Sequence, residues 1–279
     1  MQQLVCFNAT ITSSSLLSCV YVTADRLSAY DYAICCVFAY KVSTHMTDAS
    51  FEKLPYAFPS EPPLPKINKV KSHVRYLAGI KPKYCPNSCC CYTGPHVDLQ
   101  ECPYCKQPRF CPDGRARKKF TYIPLVSRLV AFAGNRPLSE QMQYHGCEHK
   151  HTLGMTKDVF DGKNYCRLWK RKVKLAGKVY NHKYFADNQD IALGLSTNGF
   201  APFKKRKSTT WPLIIFNYNL PPDICFHLNN ILSLGVIPGP KEPIDVNSFL
   251  WPLLQELFKL SAGVRAFDIL TGYLLCMPS

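Results

Sequence analysis

The stretch from Asp190 to Leu220, DIALGLSTNGFAPFKKRKSTTWPLIIFNYNL, constrains the fold more than any other part of the chain. Ile191–Thr197 and Thr209–Tyr218 are apolar runs of strand length. Asn198-Gly199-Phe200, a proline and the four cations Lys204, Lys205, Arg206 and Lys207 separate them. Asn-Gly supplies turn chemistry between two such runs, so the segment reads as a hairpin. Its first strand ends on a polar side chain, and the cationic connection beside it attracts phosphate. Ile231–Val236, closed by Pro-Gly-Pro, is a third strand-length run, and three in succession begin an antiparallel meander. Asn247 or Ser248 is then expected to cap a helix from Phe249 to about Leu260, with Pro252 in or near its first turn and Gly263 at its end.

Residues 85–111 carry a second constraint. Cys85-x3-Cys89 is followed after twelve residues by Cys102-Pro-Tyr-Cys105. Two short cysteine knuckles at that separation can close a tetrahedral thiolate site for structural zinc. Cys89, Cys90 and Cys91 are consecutive, and neighbouring side chains of an extended segment point to opposite sides, so they cannot all ligate. Cys85 with Cys89 is the expected pair and Cys90 the substitute; surplus buried thiols are the alternative reading. Cys111 and His96 read as bystanders. Fifteen cysteines with no secretory signal before them fit a reducing compartment, where clustered cysteines are metal ligands before they are disulfides.

Charge is what composition adds. The net charge is +15, and residues 61–210 hold 28 Lys/Arg against 10 Asp/Glu, whereas both flanks are slightly acidic. A mid-chain excess of that size points to a polyanionic partner, most simply nucleic acid, with a solvated basic surface as the bland reading. Lys118 and Lys119 stand in one basic run; Lys170, Arg171 and Lys172 stand in the densest one, suited to phosphate contact but not to base readout. His145-Gly-Cys147-Glu-His149-Lys-His151 offers four potential metal ligands in seven residues. On a strand all four would share one face, but the polar surroundings favour a solvated loop. The longest apolar run, Ala33–Tyr40, is far below the roughly 20 residues that span a bilayer.

The expected organisation is an unassigned apolar segment over 1–47 and a Pro-rich linker with a basic amphipathic helix over 48–84. The cysteine module occupies 85–111, a basic linking region 112–183, and an α/β domain 184–279. The helix is read over Lys66–Ile80 from apolar Ile67, Val70, Val74 and Leu77, with core packing as its first role and DNA contact its second. A sheet of only three strands would leave an unpaired edge.

The segments CPNSCCCYTGPHVDLQECPYC, DVFDG and KYFADNQDIALGLSTNGFAPFKKRKSTTWPLIIFNYNLPPDICFHLNNILSLGVIPGP together resemble the CACTA-type (En/Spm-like) DNA transposases of fungal genomes, over about residues 48–270. The resemblance implies a nuclear, DNA-binding cut-and-paste transposase with a zinc-binding cysteine region and an RNase H-like catalytic domain. In that domain, acidic residues hold two Mg²⁺ or Mn²⁺ ions for phosphoryl transfer. The family's first acid lies in a Thr-Asp-Gly-Phe pattern; here the place reads Thr197-Asn198-Gly199-Phe200. An amide keeps one oxygen and loses the charge, whereas Mg²⁺ favours carboxylate. Asp190 is eight residues back, about 26 Å along an extended strand, and cannot substitute. The remaining acids are expected beyond the chain's end at Ser279. The expectation is therefore an amino-terminal, catalytically incomplete fragment that still binds zinc and DNA, with a co-opted zinc- and nucleic-acid-binding protein without catalysis, or a non-functional transposon relic, as the alternatives.

Overall fold

The structure, a computed structural model, describes residues 3–7, 28–61, 63–77, 79–152, 154–175, 177–202, 209–262, 264 and 266–275. Lys204–Lys207 and Gly263 lie outside the described residues. The chain divides into two compact units, one of Ser18–Ile80 and the other of Met1–Leu17 with Lys81–Ser279. The first strand, β1 (Gln3–Phe7), belongs to the larger unit.

The smaller unit is helical. It comprises α1 (Ala29–Ser43), α2 (Asp48–Phe51), α3 (Leu54–Ala57) and α4 (Ile67–Leu77). Ser28 and Asp31 form a reciprocal capping box that starts α1, and the Glu52 carboxylate accepts the Ile67 N–H at the start of α4. Ile67 and Val70, the expected apolar stripe of α4, bury against Ile34 and Phe51, and half-buried Val74 packs on that cluster. The 1–47 segment, to which no element was assigned, thus supplies the main partner of the basic helix.

The larger unit continues with α5 (Val126–Ala133), α6 (Arg136–Gln141), α7 (Tyr144–Cys147) and α8 (Lys163–Trp169). The two-stranded hairpin β2 (Lys172–Leu175) and β3 (Lys178–Lys183) follows. Next come β4 (Ile191–Ser196), β5 (Thr210–Asn217), α9 (Pro222–Cys225), β6 (Leu232–Pro238), α10 (Val246–Ala262), and the short pair β7 (Ala266–Phe267) and β8 (Leu274–Leu275). The main sheet runs β1-β4-β5-β6, antiparallel throughout. The outer edge of β4, which the sequence left unpaired, is therefore taken by β1. The opposite edge, on β6, is met by the bridge Tyr122↔Gly235. Gly235 sits at φ +147, where a Cβ would collide with the Thr121 carbonyl oxygen, so only glycine allows that approach.

α10 lays Phe249, Leu253, Leu257 and Leu260 on the core at helical spacing. It begins one turn earlier than expected. Asp245 is the cap, its Oδ1 accepting the Ser248 N–H at 3.1 Å, and Pro252 consequently falls inside the helix. Proline has no N–H for the Ser248 carbonyl one turn back. The Thr93 hydroxyl donates to that carbonyl instead, so the orphaned acceptor is satisfied from the cysteine module. Further along α10, the Glu256 carboxylate accepts the Leu125 N–H (2.8 Å), the Val126 N–H (3.0 Å) and the Tyr122 hydroxyl, which closes the start of α5. Among the described residues no helix is long and apolar enough to cross a membrane.

Candidate metal centre

The cysteine module is a series of narrow loops closed by single bridges, Tyr84↔Cys91, Glu101↔Pro108 and Phe110↔Ala116. In the first knuckle the Cys85 N–H donates to the Cys90 carbonyl (2.9 Å) and the Ser88 N–H to the Cys85 carbonyl (2.8 Å). In the second, the Cys102 N–H donates to the Gln107 carbonyl and the Lys106 N–H to the Cys102 carbonyl, both at 2.9 Å. Each turns through a left-handed non-glycine residue, Ser88 at φ 63 and Lys106 at φ 58. Such backbone persists only where its surroundings over-determine it.

These turns bring the sulfurs of Cys85, Cys89, Cys102 and Cys105 within 4.8 Å of one another. Cys85 Sγ and Cys105 Sγ are 3.4 Å apart. Zinc–sulfur bonds near 2.3 Å place tetrahedral sulfurs about 3.8 Å apart, so the four donors suit a zinc-sized ion. The Asn87 N–H points at Cys85 Sγ (3.4 Å) and its side-chain amide at Cys105 Sγ (3.5 Å), the kind of donor that stabilises a ligating thiolate. Cys90 is buried with its sulfur 3.9 Å from that of Cys102, outside the four-membered group. Cys91 turns away to the Lys83 carbonyl.

Burial pushes the Cys85 thiol up to about 11 and raises Cys89 further. Burial opposes ionisation of Cys105 too, but the Gln107 N–H and the thiols of Cys85, Cys89 and Cys102 outweigh it and bring Cys105 down to about 7. A bound cation would supply the charge that lets such buried thiols ionise.

The module is clamped to the sheet and to α10. Ser88 Oγ donates to the Pro238 carbonyl (2.6 Å), the Cys91 N–H to Ser248 Oγ (2.8 Å) and the Asp245 N–H to the Cys89 carbonyl (2.9 Å). His96 Nε2 lies 2.9 Å from Asp245 Oδ2, so this histidine ties the module to the cap of α10. Tyr84 and Phe120 pack on Phe249.

A solvent-open groove is lined by Lys83, Phe110, Arg115, Arg117, Lys118 and Lys119. Arg115 pairs with Asp113 at 2.6 Å, and Lys83 Nζ sits 4.5 Å above the Phe110 ring. Lys118 and Lys119 were singled out from sequence; Lys83 and Phe110 were not, because only the pairings of Lys83 with Lys119 and of Phe110 with Ala116 bring them beside that run. Lys170, Arg171 and Lys172 are exposed where α8 passes into β2, next to the half-exposed Trp169.

Asn198 is exposed just beyond β4, and the hairpin closes again at Phe200↔Thr210. Among the described residues, groups of three or more His, Cys, Asp or Glu ligands occur in two places, neither of them at the end of β4. Asp190, at the opposite end of β4, is buried. The histidine-rich run does not form a strand: Tyr144–Cys147 is a helical turn, and Cys147 is exposed beside Asn188. His149 and His151 meet Asp161 from the DVFDG turn instead.

The fold and site define a mixed α/β protein with small sheets, a four-cysteine cluster suited to a metal such as zinc, and a basic groove. Residues 168–277, from the last turn of α8 onward, match the family model Transposase_21, the transposase family tnp2, which supports a transposase family for the chain. The cysteine module and the groove precede the matched span. No curated protein and no solved structure matches the chain.

Proposed function

We propose that the chain derives from a CACTA-type cut-and-paste transposase of a fungal genome. It binds structural zinc through Cys85, Cys89, Cys102 and Cys105, and it binds DNA, without cutting it. The groove carries this reading: Lys83, Arg115, Arg117, Lys118 and Lys119 line one open surface where, among the described residues, the ion pair is that of Asp113 with Arg115. Such a surface suits a phosphate backbone, and Phe110 adds a ring against which a base or sugar can pack. The tnp2 match supports DNA as the polyanion. Lys170, Arg171 and Lys172 extend the contact, and Lys204, Lys205, Arg206 and Lys207 are assigned to it from sequence. A DNA partner implies a nuclear location.

The meander β4-β5-β6 followed by α10 is the order in which an RNase H-like domain begins. Asn198 takes the place of its first acid. With an amide where Mg²⁺ or Mn²⁺ requires charge, and no carboxylate cluster beside it among the described residues, the two-metal site is incomplete.

Fluorescence anisotropy of the reduced, zinc-loaded chain with a labelled duplex tests the binding. Affinity should fall steeply with salt, and Lys118→Ala with Lys119→Ala should reduce the slope of log K against log salt by about 2. A slope that the pair leaves unchanged removes the groove from the interface. Nicking of the duplex in Mg²⁺ or Mn²⁺ would overturn the incomplete site.

A further inference from the structure

We propose that His149, His151 and Asp161 form a second metal site, independent of the cysteines, for a zinc-class divalent ion. His149 Nε2 lies 3.2 Å and His151 Nδ1 2.8 Å from the same carboxylate oxygen, Asp161 Oδ1. All three donors fall within 4.8 Å of one another. Donors held at about 2.0–2.2 Å around a tetrahedral zinc ion stand about 3.3–3.5 Å apart, close to the His149–Asp161 separation, whereas His151 sits at hydrogen-bond distance from Asp161 and opens slightly to admit an ion.

The environment orients each donor. Asp161 is held by its other oxygen, which accepts the N–H groups of Lys157 (2.9 Å) and Asp158 (3.1 Å) and leaves Oδ1 turned to the imidazoles. The His149 ring is placed by the rings of Tyr144 and Phe160, at 6.1 and 5.7 Å, and only 11% of its side chain is exposed. Its Nε2 is buried without a hydrogen bond, because the short approach to Asp161 is not aligned for one. Two donors that approach without pointing at each other are arranged as ligands of a shared ion are. A buried imidazole nitrogen without a hydrogen bond is otherwise an unfavourable feature.

Two imidazoles and one carboxylate favour zinc or a neighbouring late first-row ion over Mg²⁺, which prefers oxygen alone. Three protein donors leave one position for water, as in sites open to exchange. His151, 52% exposed, forms the solvent side. The site joins the histidine-rich run to the DVFDG turn, two motifs whose juxtaposition no spacing rule announces.

The test measures zinc bound to the untagged full chain after equilibration with zinc and gel filtration, before and after treatment with an organomercurial that captures thiols. Two equivalents are expected, of which the mercurial releases one. The retained equivalent should show only nitrogen and oxygen neighbours by X-ray absorption. His151→Ala, at a half-exposed position that spares the fold, should weaken it by more than the about 10–100-fold that loss of an outer-shell partner costs. Asp161→Asn should do the same. A single equivalent that the mercurial removes completely overturns this site while leaving the cysteine centre standing. So does a retained equivalent indifferent to both substitutions. One retained equivalent with none released would instead overturn the cysteine centre.

Discussion

Glu256→Ala should be among the most destabilising single changes in the larger unit. The carboxylate accepts two backbone N–H groups at the start of α5 and the hydroxyl of Tyr122, a side chain only 1% exposed. Hydrogen bonds to a charged group contribute about 1.5–3 kcal/mol each, and buried donors left without an acceptor cost about as much. Water entering the space vacated by the side chain recovers part of this, so the net loss is expected at about 3–5 kcal/mol. For a unit of this size that lowers Tm by roughly 6–20 °C, read by circular dichroism of the zinc-loaded chain. Tyr122→Phe supplies the control. With one donor already removed, Glu256→Ala should cost less by about 0.5–3 kcal/mol than it does in the native background. A loss below about 1 kcal/mol, or strict additivity of the two changes, would refute the assignment of Glu256 as the cap of α5.

Two further outcomes follow from the same structure. Thr93→Val should destabilise the chain by about 1–3 kcal/mol by orphaning the Ser248 carbonyl, and should cost markedly less in a Pro252→Ala background, where a helical N–H returns; equal costs by urea unfolding in both backgrounds would sink the explanation. Asp190 is pushed up to about 6, chiefly by burial and also by the Asp187 carboxylate, against the N–H groups of Asp187 and Ala186 that lower it. An acid raised in the folded state contributes stability below its unfolded value near 3.8 and loses it as pH climbs through about 6. Asp190→Asn should therefore gain little near pH 4 and about 1–3 kcal/mol near pH 7, and a gain independent of pH counts against it.

Much of the larger unit was legible from local pattern. Strand runs over Ile191–Thr197, Thr209–Tyr218 and Ile231–Val236 correspond to β4, β5 and β6, because alternation and turn chemistry act within a few residues. Knuckle spacing likewise marked the cysteine module, and charge counting marked the basic run that lines the groove at Lys118 and Lys119. Spacing favoured Cys89 and kept Cys90 as its substitute. Only the turns at Ser88 and Lys106 send Cys89 toward Cys85 and Cys105 while Cys91 points to a backbone carbonyl.

Three features were decided by tertiary structure alone. β1 reaches the β4 edge from nearly two hundred residues away in sequence. The interior Pro252 is tolerated because Thr93, on another element, reaches the carbonyl it orphans. His149 and His151 acquire a carboxylate partner only when the DVFDG turn folds back on them. Local sequence sets the backbone preference of each segment through sterics and periodicity. Which distant donor meets which acceptor depends on how the elements pack, and that is set by burial of the whole core.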